Sequence, residues 1–255
     1  RSASVATTDR RVHADVREAA VTARVTTLKG PDAGAYYVDG PGRYYLDGDE
    51  PPGRWLGRGA DALGLAGEVD DNDFLSLMDG RDPLSGELLG TSHYERTVRG
   101  FDVTCSAPKS VSVLFAIGDD SVRHEVLDAH DAAVAAAFGW IEDYAHCRYR
   151  LDGEVWTVDA RGLVAAAFRQ HTSRAHDPQL HTHLVIPNRV IAPDGRWLAL
   201  DARTLKHDQR TISALYAAGL RAELTSRLGV RWNDVVNGQA EMADAPGEVL
   251  DAFSQ

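Results

Sequence analysis

Residues 168–188 read FRQHTSRAHDPQLHTHLVIPN. The centre of this stretch, His181-Thr182-His183, runs into the apolar Leu184-Val185-Ile186. This pattern predicts a β-strand. Strand side chains alternate faces, so His181 and His183 point the same way. Two imidazoles on one sheet face are half of a metal site. Taken alone the pair is a short pattern, and it also fits two polar residues on an exposed edge strand.

Working backwards, Leu163 to His171 reads as the preceding strand. If the loop 173–179 turns the chain back, the two strands pair antiparallel and the end of the first lies beside His181. Either Gln170 or His171 then completes the site, but not both, because neighbours on a strand face opposite ways. Histidine is the better donor and glutamine the weaker one. His176, in the loop, reads as solvated.

Further out, Val25 to Leu28 and Thr97 to Cys105 have strand character, with more strands near 154–159 and 180–191. Asp194-Gly195 marks a hairpin turn into Trp197 to Leu200. Helical periodicity covers Lys109 to about Ile117 and Val122 to about Tyr144, with Val126, Ala133, Ala136 and Phe138 as the apolar face of the second. Thr211 to Leu228 reads as an amphipathic helix that stops at Gly229. Residues 58–78 carry shorter helical pieces, and Gly30 to Gly53 and 80–92 read as loops. The sum is an α+β domain on a mainly antiparallel central sheet, with flanking helices expected on one face. Residues 1–24, polar and rich in Arg and Ala, read as an N-terminal extension, and 25–255 as the folded domain.

Composition bounds the function. At 44% hydrophobic and 25% charged, 255 residues can bury a sizeable core. No apolar run approaches a membrane span, and the first 30 residues lack a signal-peptide core. Two cysteines, Cys105 and Cys147, make no disulfide framework, so a reducing, cytoplasmic setting is expected. The net charge of −11 argues mildly against nucleic acid, but Arg and Lys are denser in 94–110 and 161–174.

Other residues carry chemistry. Tyr36-Tyr37 and Tyr44-Tyr45 hold half of the chain's 8 tyrosines. A tyrosine needs activation to act as a nucleophile, and a metal-neutralised phosphate with a nearby base provides it. Otherwise such pairs are packing residues. Asp102 lies between Phe101 and Val103. If those two face the core, Asp102 faces the other side of the sheet, where it can orient a ligand imidazole or take a proton. Ser106-Ala107-Pro108-Lys109 opens a helix whose free amides and lysine suit a phosphate. Arg169 and Arg174 are further phosphate candidates.

These stretches together resemble the relaxase domain of MobF-type conjugative relaxases, within the HUH endonuclease superfamily. The matching strings are AYYVDGPGRYY (35–45), RWLGRGADALGLAGEVD (54–70), GFDVTCSAPKSVSV (100–113), the opening stretch, and ALYAAGLRAEL (214–224). The resemblance covers about 25–235.

It implies a palm-like fold and an enzyme that nicks one DNA strand at a plasmid origin of transfer, with a tyrosine joined to the 5′ phosphate. The first nucleophile falls on Tyr36 and a second on Tyr44, with Tyr37 and Tyr45 completing the pairs. The catalytic aspartate falls on Asp102, and two metal histidines on His181 and His183. The third metal histidine falls on Gln170, one place before His171. This departure bears on metal affinity and preference. The resemblance implies a divalent cation, Mg2+ or Mn2+ first. It also implies single-stranded or hairpin origin DNA as partner, alongside other relaxosome and conjugation proteins. The setting implied is the bacterial cytoplasm, with delivery to the recipient cell along with the DNA. Two alternatives stand beside it: a DNA-binding module with impaired nicking, and a metal-dependent phosphodiesterase that uses water.

Overall fold

A computed structural model describes residues 22–38, 51–90, 98–173 and 177–253. Tyr44, Tyr45, Arg174 and His176 lie outside the described residues.

The central sheet is built from β1 (Ala23–Lys29), β2 (Arg54–Leu56), β3 (Val98–Ser106), β7 (Ala165–Thr172) and β8 (Pro178–Pro187). Among the described residues its order is β1-β3-β8-β7-β2, and every pairing is antiparallel. The strand holding His181 and His183 therefore sits in the middle. It is flanked on one side by the strand of Asp102 and on the other by that of Gln170.

Two hairpins extend this frame. β4 (His146–Leu151) pairs with β5 (Glu154–Asp159) as a separate ribbon. The short strands β6 (Gly162–Leu163), β9 (Val190–Ile191) and β10 (Trp197–Leu198) make a small sheet, with Asp194-Gly195 in the turn as expected. The sequence reading held no strand at 146–151.

The helices are α1 (Ala35–Val38), α2 (Arg58–Ala62), α3 (Asp71–Met78), α4 (Lys109–Ile117), α5 (Asp120–Asp143), α6 (Ala202–His207), α7 (Gln209–Leu228) and α8 (Gly247–Ala252). Their ends follow local chemistry. Asp119 opens α5 by accepting from the Val122 amide, and Asp70 opens α3 by accepting from the Asn72 and Asp73 amides. Gly229 closes α7 in the left-handed region, with φ of 67°.

Two apolar layers form, one on each face of the sheet. On the larger side Phe101, Val103, Leu184 and Ile186 pack against Val126, Ala133 and Phe138 of α5 and Tyr216, Leu220 and Leu224 of α7. On the other, Trp55, Ala166 and Val185 pack against Phe74, Leu77 and Met78 of α3. This corrects the expectation of helices on one face. Strands buried on both sides need cover on both, and α3 supplies part of it. Ala136, expected in the apolar face of α5, is exposed, and Ala137 is buried instead. The buried positions 126, 130, 133, 137 and 141 follow the helical 3–4 spacing, and the stripe runs through 137 rather than 136.

Candidate functional site

Register assembles the site. Thr104 pairs with His183 and Ser106 with His181 across β3 and β8. Phe168 pairs with His183 and Gln170 with His181 across β7 and β8. Directly opposed residues share a face. Asp102, Thr104, His181, His183, Phe168 and Gln170 therefore line one side of the sheet. Phe101 and Val103 face the larger core, as expected.

Both imidazoles are oriented through the same ring atom. His181 Nδ1 lies 2.8 Å from the Gln179 carbonyl oxygen, an acceptor, so that nitrogen carries the proton. His183 Nδ1 donates to Asp102 Oδ2 at 2.8 Å. Each ring thus keeps the lone pair of Nε2 for another partner, which is how second-shell acceptors prepare metal-ligating histidines. The ring centroids are 5.0 Å apart. Burial, with the neighbouring His183 adding to it, lowers His181 to about 4, against the opposing pull of the Gln179 carbonyl. The ring is therefore neutral and able to ligate at physiological pH. Among the described residues no three His, Cys, Asp or Glu side chains converge on one point. A third protein donor on this face is the Gln170 amide, whose oxygen is a ligand type suited to hard cations.

His171 goes elsewhere. The pairing of β7 with β8 shifts register between Gln170 and Thr172, a bulge at His171. Its ring packs on Phe115 of α4, with centroids 4.7 Å apart.

The tyrosine pair of α1 closes the site from above. Tyr37 Oη donates to Asp102 Oδ2 at 2.8 Å. Its ring stacks on Phe168 and meets Phe74 and His183 edge-on. Burial first, then the Asp102 charge, pushes the Tyr37 phenol far above its ordinary range. Tyr36 stands edge-on to Tyr37 at 5.2 Å and is 36% exposed. Of the two, Tyr36 is the more exposed.

The basic candidates fall differently. Arg169 is opposite Thr182, on the α5 side of the sheet, and donates to Asp131 at 2.6 Å. It points away from the histidines. Lys109 donates to the carbonyls of Phe253 and Pro178. The amide of Ser110 in the same helix start donates to Glu241 Oε2 at 2.8 Å. Protein acceptors thus meet Lys109 and the Ser110 amide.

The sequence reading also missed several partners. Phe168 was findable, since it has the same parity as Gln170. The Gln179 carbonyl was findable too, two residues before His181 on the same strand. Glu241 gave no local signal, because it reaches Ser110 across 131 residues.

The sequence profile described as TrwC relaxase matches residues 13–255. The chain belongs to the TrwC relaxase family. Among curated relatives of this chain, the multifunctional conjugation protein TraI of Escherichia coli is 37% identical over 229 residues. TraI of Escherichia coli strain K12 is 37% identical over 232 residues. Each alignment covers 87% of this chain and 13% of the relative, so the chain spans about an eighth of their length.

The conjugative relaxase TrwC, solved in a metal-bound complex with oriT DNA, superposes with a TM-score of 0.79 at 33% identity. That match covers 91% of this chain and 79% of the solved one. TrwC bound to a 27-mer DNA with the recognition hairpin and cleavage site gives 0.76 at 32% identity, covering 91% and 78%. The chain has, among its described residues, no helix long and apolar enough to cross a membrane.

Proposed function

We propose that this chain is a site- and strand-specific DNA endonuclease and transesterase that acts at an origin of transfer in plasmid conjugation. One observation carries the reading. Two histidines on one sheet face have their Nδ1 atoms engaged, one by a carbonyl and one by a carboxylate, and Tyr37, which meets His183 edge-on, has the exposed Tyr36 beside it.

His181, His183 and Gln170 would hold a divalent cation, Mg2+ or Mn2+. The cation, when bound, neutralises and polarises the scissile phosphate. His183 is held in place by Asp102. Tyr36 Oη forms the new bond to phosphorus as the bond to the 3′ oxygen breaks. The phenolic proton passes by way of the Asp102 carboxylate to the departing oxygen, which leaves as the 3′ hydroxyl. Tyr37 keeps that carboxylate in position and walls the site with Phe168. Tyr44 is a second nucleophile for a later strand transfer, with Tyr45 completing its pair. The phosphotyrosine conserves the bond for religation.

TrwC has been solved with oriT DNA and with metal, which supports the substrate and the cofactor class. The partners are single-stranded or hairpin origin DNA and other relaxosome proteins, in a bacterial cytoplasm. The first described strand starts at Ala23, inside the extension expected over 1–24, and the family profile matches from residue 13.

A labelled origin oligonucleotide incubated with the protein and Mn2+ tests the reading. A covalent protein–DNA adduct that Tyr36→Phe abolishes is the expected result. Hydrolysis without an adduct would make the protein a phosphodiesterase that uses water. Binding without cleavage would make it an inert DNA-binding module.

A further inference from the structure

Behind the histidine pair runs a second polar chain, on the opposite side of the sheet. Thr182 lies between His181 and His183 and is 2% exposed, its side chain turned into the larger core. Its Oγ1 is 2.8 Å from His130 Nε2 of α5. His130 Nδ1 is in turn 2.8 Å from Tyr216 Oη of α7. Both His130 and Tyr216 are wholly buried. The chain joins two helices to the middle of the central strand, through a layer otherwise built from Val126, Ala133, Leu184, Leu220 and Leu224.

Buried polar groups in such a layer cost free energy unless each finds a partner. Here each does. A neutral imidazole has one donor and one acceptor, and a hydroxyl can fill either role, so both bonds are satisfied in either tautomer. Burial keeps His130 neutral, lowering it to about 3. A satisfied buried network fixes one arrangement, where an apolar core would tolerate several. A strand that slips by one residue sends every side chain to the other face. At Thr182 a slip would turn both histidines away from Asp102 and Gln170.

We propose that Thr182, His130 and Tyr216 form a positioning relay that pins the register and depth of β8, and so holds His181 and His183 in metal-binding geometry. None of the three lies on the histidine face of the sheet. The inference rests on the metal site proposed above.

The experiment measures Mn2+ affinity of the full chain by calorimetry and the Co2+ absorption spectrum, at a temperature where circular dichroism shows each variant folded. Thr182→Val keeps the shape and removes the hydroxyl. Thr182→Ser keeps the hydroxyl and loses a methyl group. Tyr216→Phe breaks the far end without touching the strand. The relay requires weaker Mn2+ binding, about tenfold, in Thr182→Val and Tyr216→Phe, the size expected when an outer-shell partner is lost. It also requires an altered Co2+ spectrum in both, and near-parental values in Thr182→Ser.

Parental affinity in Thr182→Val, or a greater loss in Thr182→Ser than in Thr182→Val, overturns it in favour of simple packing. Should Thr182→Val not fold, Tyr216→Phe decides alone. No Mn2+ binding by the parent would instead sink the metal site, a separate failure.

Discussion

Asp102 accepts from His183 Nδ1 at 2.8 Å through a carboxylate that is only 8% exposed. Replacing it with asparagine keeps the shape and removes the charge. The neutral amide is a weaker acceptor for the imidazole N–H and no longer raises the basicity of Nε2. Asp102→Asn should weaken Mn2+ binding by about 10–100-fold, the range seen for second-shell partners. Adduct formation on an origin oligonucleotide should fall with it. Parental Mn2+ affinity in this variant would show that Asp102 does not orient the ligand.

Tyr36 and Tyr37 are neighbours with different environments. The Tyr37 hydroxyl is tied to Asp102 and its ring is packed among Phe74, Phe168 and His183. Tyr36 is exposed at 36%. Tyr36→Phe should abolish the covalent adduct and leave the unfolding free energy within about 0.5 kcal/mol of the parent. Tyr37→Phe should retain the adduct at a reduced rate. It should also lose about 1 kcal/mol of stability with its hydrogen bond. The reverse pattern on a denaturing gel, an adduct in Tyr36→Phe and none in Tyr37→Phe, would exchange the two roles.

Gln170 shares a face with His181, whereas His171 packs on Phe115. Gln170→His should tighten binding of Zn2+ and Mn2+ by about tenfold or more, since imidazole is a stronger donor than an amide oxygen for such ions. Gln170→Ala should weaken it. His171→Gln should leave affinity unchanged and cost stability through the lost ring contact. Titration calorimetry on the three variants reads this directly. A loss of affinity confined to His171→Gln would put the third ligand on the bulge.

Much of this frame was legible in the sequence because strand parity is a strict rule. The rule placed His181 and His183 together and Phe101 and Val103 behind Asp102; it left Gln170 and His171 both open, and only the family resemblance favoured Gln170, which pairs with His181. The α4 helix was read at its observed bounds, Lys109 to Ile117. Contacts made at long sequence range were not legible. Nothing local ties Glu241 to Ser110, Tyr216 to His130, or Asp131 to Arg169. Lys109 and Arg169 show the consequence. Their charge suggested phosphate, but only the fold reveals which acceptor each has met. The cover over the second sheet face was missed for a related reason. α3 has 8 residues, and its three buried side chains gain meaning only against Trp55 and Val185.

His130 also sets a pH dependence. Burial first, and then the nearby Arg169, His181 and His171, hold it at about 3 in the folded chain, below its ordinary 6.5. Thr182 and Tyr216, its direct partners, stay uncharged over this range. The unfolded chain takes up the proton near 6.5, while the folded chain resists until about 3. The stability associated with neutral His130 is therefore complete above about 6.5 and is lost as pH falls towards 3. One proton corresponds to about 1.4 kcal/mol per pH unit within that window. Urea unfolding of the metal-free protein between pH 6.5 and 4.5 should show stability falling with pH. The same series on His130→Gln should start from a lower stability and fall less steeply, by about one proton. Equal slopes in the two proteins would mean that His130 is not held neutral by the fold.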